Sequence, residues 1–390
     1  MDLVQRLPGM RDTPEDAWQR SYITEASLRS LFARYGYTSV DTPVLEPTEL
    51  FLRRSGGDLA SWMYSFVEPG GHKASLRPEF TSSVVRRLLE ESKAVALPWR
   101  VQYAGPVFRY DAESATPRQF TQVGAELFGS SHPAADAEVL DLAWQGLAHV
   151  GVTGHKLVLG DAGVFGGVCD ELGLSERGRM FLLASLPLLR PSANGSGDGA
   201  TQVREQAERL HLLKAEPAIA GLRSVVRRLN NNDARSLLRE MYTDVDTGPW
   251  GARTPDEILD RLTRKLRGND DSARIEQALA VAGQLVTVKG EPAKAVVQAE
   301  KLLQKHKLKA DALTGLKRVL TLMGAHKGVP VSLDLGLTRG IAYYTGIVFE
   351  ARSASGVALG GGGRFDSLAS PSVARRMCRR SGLRTVWSTC

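Results

Sequence analysis

The sequence predicts an α+β protein with a mainly antiparallel sheet and a mostly helical insertion. Three observations carry this. Strand texture appears at 99–110, 118–128 and 155–160, and returns only at 329–335 and 341–352. The intervening residues 161–320 follow helical patterns rich in Lys, Arg, Glu, Ala and Leu. The strands alternate in character, which suits an antiparallel sheet better than the unbroken apolar runs of a parallel one. Strands, then helices, then strands again describe one sheet completed by the later part of the chain.

In order, residues 15–35 carry apolar positions at helical spacing, and Gly36 follows as a stop. YTSVDTPVLEP is β-rich and broken by prolines. Residues 61–67 and 73–76 lead into LRPEFTSSVVRRLLEES, where a strand end passes into a helix starting near Thr81. WRVQYAGPVFRY and RQFTQVGAELF read as two strands around the polar loop DAESATP. Residues 135–149 form a helix and 155–160 a short strand. PSANGSGDGA at 191–200 is a flexible connection. TDVDTGPWGARTP at 243–255 is a loop ending in a helix start, with Thr254 as cap and Pro255 at the first helical position. Four glycines at 360–363 break the chain after the last strand. The resulting domains are a core of 1–160 and 325–369, a helical insertion of 161–324, and an atypical basic tail of 370–390.

Composition narrows the function classes. Hydrophobic residues make up 43% and charged residues 24% of the 390 positions, as in an ordinary globular protein. No apolar run reaches the length of a membrane span, and MDLVQRLPGMRD lacks the core of a signal peptide. The cytoplasm is the expected compartment. Cys169, Cys378 and Cys390 are too scattered for a disulfide framework or a zinc site. The net charge of +7 is interspersed with 43 acidic residues, so solvated helix faces explain it and nucleic acid is not expected as a partner.

Four segments combine reactive side chains with glycine or proline: Leu76–Thr81, Phe108–Glu126, Arg339–Tyr344 and Gly360–Asp366. Within the second, strand alternation puts Arg118, Phe120, Gln122, Gly124 and Glu126 on one face. Gln122 and Glu126 then flank a glycine gap that a small cationic ligand can use; an ordinary solvent-facing Gln and Glu is the other reading. Arg339 suits a bidentate hold on a carboxylate or phosphate, although a surface ion pair is the commoner use of a lone arginine. The tyrosine pair Tyr343 and Tyr344 fits a site or core packing. The glycine run allows a backbone approach to a ligand, or a hinge. Neither a GxGxxG fingerprint after a strand nor a GxxxxGK[ST] loop occurs, which argues against classical dinucleotide and P-loop folds.

Taken in order, these segments resemble the histidyl-tRNA synthetase family and its non-catalytic paralogue. LPGMRDTPEDAWQR is similar to the family's opening segment, YGYTSVDTPVLEPTELFLRRSGGD to class II motif 1, and FRYDAESATPRQFTQVGAE to motif 2. TRGIAYYTGIVFE is similar to the histidine signature, and LGGGGRFDSL to the segment that follows it. The resemblance covers roughly 1–160 and 325–369 and implies the class II synthetase antiparallel sheet flanked by helices, in a core that dimerises. It also implies residue roles. Glu79 and Thr81 would hold a histidine ammonium, with Gln122 nearby. Glu126 and Tyr344, with the adjacent Tyr343, would address the imidazole. Arg339 would meet the ligand carboxylate, and Arg109 a carboxylate or an α-phosphate. The resemblance implies no metal and no cofactor.

Three departures make the paralogue, the regulatory subunit of ATP phosphoribosyltransferase, the closer resemblance. No room is left after the core for an anticodon-binding domain. Ala342 stands where synthetases carry Asp, and Gly346 where they carry a larger polar residue. Phe80 stands where they favour Gly. The implied activity is non-catalytic: a hetero-oligomer containing a dimer of this core and a short-form catalytic subunit, which it activates and which histidine then inhibits through it. A histidine–tRNA ligase, complete or truncated, and a stand-alone histidine sensor are the alternatives. The family pattern stops after Leu368, without motif 3 and its ATP-binding arginine. The tail is either a disordered basic segment or a slipped reading frame: from the third base of the Cys378 codon, the same codons can spell PAFGLAYGLEHV, which resembles motif 3.

Overall fold

The computed structural model describes residues 4–52, 61–91, 95–110, 117–191, 199–210, 212–213, 220–243, 256, 259–260, 262–263, 266, 272–325, 329–338, 344–366 and 386–389. The chain divides into two compact units, Met1–Gly166 with Gln284–Cys390, and Gly167–Gly283.

In the first unit, helix α1 (Glu15–Arg34) buries Leu28, Leu31 and Phe32, and is followed by Gly36 at φ +84°. Strands β1 (Thr38–Ser39) and β2 (Leu45–Pro47), short helix α2 (Thr48–Leu52), and strands β3 (Ser65–Val67) and β4 (Lys73–Leu76) come next. Helix α3 (Thr81–Glu90) starts at the residue the sequence indicates. Strands β5 (Trp99–Phe108) and β6 (Gln119–Phe128) pair antiparallel over their whole length. Helix α4 (Pro133–His149) is capped by His132, whose Nδ1 accepts from the Ala134 amide at 3.1 Å. Strand β7 (Lys156–Asp161) precedes helix α5 (Ala162–Glu171).

The second unit holds helices α6 (Glu176–Leu189), α7 (Gly199–Arg209), α8 (Ala220–Arg228), α9 (Asn231–Thr243) and most of α10 (Ser272–Leu285). Its apolar residues gather in two small clusters, one around Val226, Ala234, Leu238, Leu259 and Leu266, the other around Phe181, Val203, Ala207 and Leu212. The helix start expected at Thr254 and Pro255 lies outside the described residues.

The chain then returns to the first unit through β8 (Lys289–Gly290), α11 (Pro292–Lys305) and α12 (Thr314–Ala325), followed by β9 (Val331–Asp334), β10 (Ile347–Arg352), β11 (Ala358–Gly363) and β12 (Val386–Thr389). Residues 284–324, which the sequence pattern groups with the insertion, thus cluster with the sheet: β8 pairs with β9, and α12 lies against α4.

Among the described residues the main sheet has nine strands in the order β1-β5-β6-β12-β11-β10-β7-β9-β8, and β2-β4-β3 form a second sheet. Two neighbour pairs in the main sheet, β1–β5 and β7–β9, are parallel; the rest are antiparallel, as the alternation predicts.

The structure corrects two sequence expectations. Gly360–Gly363 do not break the chain; they form the buried end of β11, between β10 and β12. Bare glycine is needed because a Cβ at Gly363 would sit 2.6 Å from the Ile347 carbonyl oxygen and 2.8 Å from the Tyr344 ring. The tail, read as either a disordered basic segment or a slipped reading frame, contributes β12 at residues 386–389, hydrogen-bonded between β6 and β11.

A buried ionic group ties α4 to the end of β11. Arg364 donates through Nε and Nη2 to the two carboxylate oxygens of Asp136 at 2.8 and 2.5 Å. Asp161, at the end of β7, accepts from the Gly163 amide at 2.7 Å. Burial pushes the Asp161 carboxyl up from 3.8 to about 7, with Asp136 adding and Arg364 and the Gly163 amide opposing. The folded chain therefore keeps a proton here that the unfolded chain releases. Stability from this group is present below the unfolded value near 4 and is lost as pH rises through 7. Asp161→Asn keeps an acceptor for the Gly163 amide and removes the titration. It is expected to gain up to about 4 kcal/mol at pH 8 and nothing at pH 4, as read by denaturant unfolding at both.

Candidate functional site

The β5–β6 pair brings the predicted residues together. Register sets Val101 opposite Glu126, Tyr103 opposite Gly124 and Gly105 opposite Gln122. Gln122 and Glu126 share one face of β6, as alternation requires, but that face is not solvent-exposed: both residues are fully buried, which overturns the reading of an ordinary surface pair. Neither polar atom of the Gln122 side chain has a hydrogen-bond partner among the described residues, nor does Oε2 of Glu126. An unmatched buried amide and carboxylate cost the folded chain a few kcal/mol unless something arrives to pair with them, about 1–3 for each group.

The second carboxylate comes from the turn before α3. Glu79 is buried, and its carboxylate oxygens accept from the Ser82 amide at 3.1 and 3.2 Å, at the start of the helix. Thr81 lies between the two acids, and its hydroxyl interacts with both. Burial raises the Glu79 carboxyl; hydrogen bonds from Ser82 and Thr81 and the charge of Arg109 oppose it. Burial also raises Glu126 well above the usual carboxylate range; the charge on Glu79 adds, and hydrogen bonds from Thr81 and Tyr103 oppose. Two acids sharing a dry site favour a cationic guest, which stabilises their charged forms.

Arg109 lies beside this group. Its Nε donates to the Pro78 carbonyl at 2.9 Å, and its guanidinium carbon is 5.2 Å from the Phe120 ring centre. Tyr344 is buried in the same apolar cluster as Phe80 and Tyr103. Arg339 and Tyr343 lie outside the described residues. The sequence reading misses Tyr103, whose hydroxyl donates to Glu126 Oε1 at 3.1 Å. The available signal was Gly124: its missing side chain clears space not for a ligand but for the Tyr103 ring, 2.4 Å from where a Cβ would stand.

Residues 9–188 and 197–378 match the family model for histidyl-tRNA synthetase. The chain belongs to the histidyl-tRNA synthetase family. The match continues to Cys378, so the family pattern extends beyond Leu368, where the sequence reading ended it. Among curated relatives, the histidine–tRNA ligase of Methanocaldococcus jannaschii is 28% identical over 369 residues, covering 94% of this chain and 70% of the relative. That of Pyrococcus horikoshii is 29% identical over 373 residues, with the same coverage of each chain. Solved structures of the family share the fold. A histidine–tRNA ligase subunit from Alicyclobacillus acidocaldarius superposes with a TM-score of 0.55 at 26% identity, covering all of this chain and 95% of that one. A Bacillus halodurans protein described as an ATP phosphoribosyltransferase regulatory subunit/histidyl-tRNA synthetase gives 0.62 at 21% identity, covering all of this chain and 81% of that one. The mixed helix-and-sheet fold of the histidyl-tRNA synthetase class II core is therefore that of this chain. No helix among the described residues is long and apolar enough to cross a membrane.

Proposed function

We propose that this chain binds histidine and acts as the regulatory subunit of ATP phosphoribosyltransferase in the first step of histidine biosynthesis. The observation that carries the ligand is the buried polar set of Glu79, Thr81, Gln122 and Glu126, in which the Gln122 amide and Oε2 of Glu126 have no hydrogen-bond partner among the described residues. In this reading Glu79, Thr81 and Gln122 take the ammonium, Glu126 with Tyr344 and Tyr343 takes the ring, and Arg109 and Arg339 take the carboxylate. Isosteric amino acids are refused because they leave these buried groups unpaired.

The regulatory role draws support from Phe80 and Ala342. Phe80 is fully buried and stacked on Tyr103 at the position where synthetases favour Gly. No proton transfer or covalent step is asked of the chain. Histidine bound here has a different affinity in the active and inhibited assemblies, and the coupling is reciprocal. A cytoplasmic hetero-oligomer built around a dimer of the core, residues 1–160 with 325–369, is the corresponding assembly.

The second reading, histidine–tRNA ligase, is favoured by the curated relatives, which carry that activity in their names. One experiment separates the two. The purified chain is mixed with a short-form ATP phosphoribosyltransferase catalytic subunit, and phosphoribosyl-ATP formation is followed with and without histidine. Histidine-dependent pyrophosphate exchange into ATP is measured in parallel. Activation reversed by histidine, with no exchange, supports the regulator. Exchange without activation replaces it with the ligase.

A further inference from the structure

Glu126 is aimed by a stack the family reading does not mention. The Tyr103 and Phe80 rings lie 4.4 Å apart at 10°, and the Arg77 guanidinium carbon is 3.8 Å from the Phe80 centroid. All three side chains are buried. Two strand glycines make room for them. A Cβ at Gly124 would meet the Tyr103 ring at 2.4 Å, and one at Gly105 would meet Arg77 Nη2 at 2.7 Å and Phe80 Cζ at 3.2 Å. Arg77 is itself fixed, donating to the Thr42 carbonyl at 2.6 Å and the Pro106 carbonyl at 2.9 Å. A ring held on its face in this way keeps its hydroxyl in one place, and that hydroxyl carries a single proton to donate. It goes to Glu126 Oε1 at 3.1 Å, while Oε2 is buried without a partner. The Thr81 hydroxyl also hydrogen-bonds this carboxylate and the Glu79 charge faces it, and both stay in place when Tyr103 or Phe80 is replaced.

We propose that Tyr103 is a positioning residue that sets ligand specificity: by occupying one oxygen of Glu126, it turns the other toward a ring N–H of the guest. This rests on the histidine reading of the site. A guest whose ring lacks an N–H leaves Oε2 buried and unpaired, and is refused. Arg77 and Phe80 act through Tyr103 and touch no ligand.

The test uses the full chain, with histidine and 3-(2-thienyl)alanine as probes in calorimetry from pH 5 to 9. Tyr103→Phe keeps the ring and its packing and removes only the donor. It is expected to weaken histidine binding about tenfold and to leave thienylalanine unchanged, so the preference narrows. The Tyr103 hydrogen bond favours the charged carboxylate, so its loss raises the Glu126 carboxyl, and the acid limb of histidine binding moves to higher pH. Simple loosening of the core would not move that limb. Phe80→Leu, which keeps the hydroxyl and removes the stack, shifts the preference the same way by roughly two- to tenfold. In the ligand-free chain, the Glu126 titration is followed by carbon NMR of labelled glutamate, and Tyr103→Phe moves it upward. An unmoved titration, or an unchanged preference, overturns the proposal. A titration that moves in a chain that binds no histidine leaves the hold on Glu126 standing and removes the histidine reading instead.

Discussion

Arg364→Leu is expected to destabilise the first unit by about 3–5 kcal/mol, the usual cost of stripping one partner from a buried ion pair. Both side chains of the Arg364–Asp136 pair are 7% exposed, and the guanidinium meets the carboxylate through two parallel hydrogen bonds. Leucine removes both of these hydrogen bonds from the buried Asp136 carboxylate and takes away a charge that favours ionised Asp161. The loss is read by urea unfolding at pH 7. Replacing both Arg364 and Asp136 with leucine is expected to recover most of it, because two apolar side chains carry no desolvation cost. A double variant as unstable as the single one would sink this account and place the cost in packing. The more exposed Arg100–Glu138 pair is a comparison: its side chains are 31% and 25% exposed, and Arg100→Leu is expected to cost less than Arg364→Leu.

Glu126→Gln is expected to move stability and ligand binding in opposite directions. Glutamine has nearly the shape of glutamate, and its carbonyl can still accept from Tyr103. What disappears is a buried charge beside Glu79. The raised Glu126 carboxyl lowers stability as pH rises above the ordinary glutamate range, so the glutamine variant is more stable than the parent at pH 8 and no more stable at pH 4. Histidine affinity falls about a hundredfold at the same time, because a charge-assisted hydrogen bond is lost in a dry site. Calorimetry and unfolding in one buffer measure both. A drop in stability together with affinity would show Glu126 to be a structural residue. The expected trade is the usual one for a binding site, which keeps unmatched groups in the free protein so that a guest can match them.

Much of the sheet was legible in the sequence because alternation and spacing are local. α1, α3, β5, β6 and β7 stand within two residues of where pattern reading sets them, and Gln122 with Glu126 on one face of β6 follows from a period of two. What escaped depended on contacts between strands. Tyr103 reads as one more residue of an apolar strand; only the register that sets it opposite Gly124 shows that its ring fills the glycine gap. Gly360–Gly363 carry the composition of a break, and no local rule says that two neighbouring strands will close over them. Arg77 is an arginine by chemistry and a core residue by position, a conflict resolved by the Thr42 and Pro106 carbonyls, which are distant in sequence. Arg339 and Tyr343 lie outside the described residues, so their roles rest on the signature alone.

The Asp136–Arg364 pair also sets a schedule. Its partners are 228 residues apart in the chain. At the ordinary pace of a ribosome, about 5–20 residues per second, Asp136 leaves the tunnel roughly ten to fifty seconds before Arg364 exists. During that interval Asp136 waits for Arg364, and water is the better solvent for its carboxylate. The helical unit made in between can form its own small cores meanwhile. A long intervening segment adds little to the thermodynamic cost of closing the pair, since loop entropy grows only with the logarithm of length. Its effect is on timing: the pair closes only after synthesis delivers Arg364, and a chaperone that holds such intermediates has that long to act.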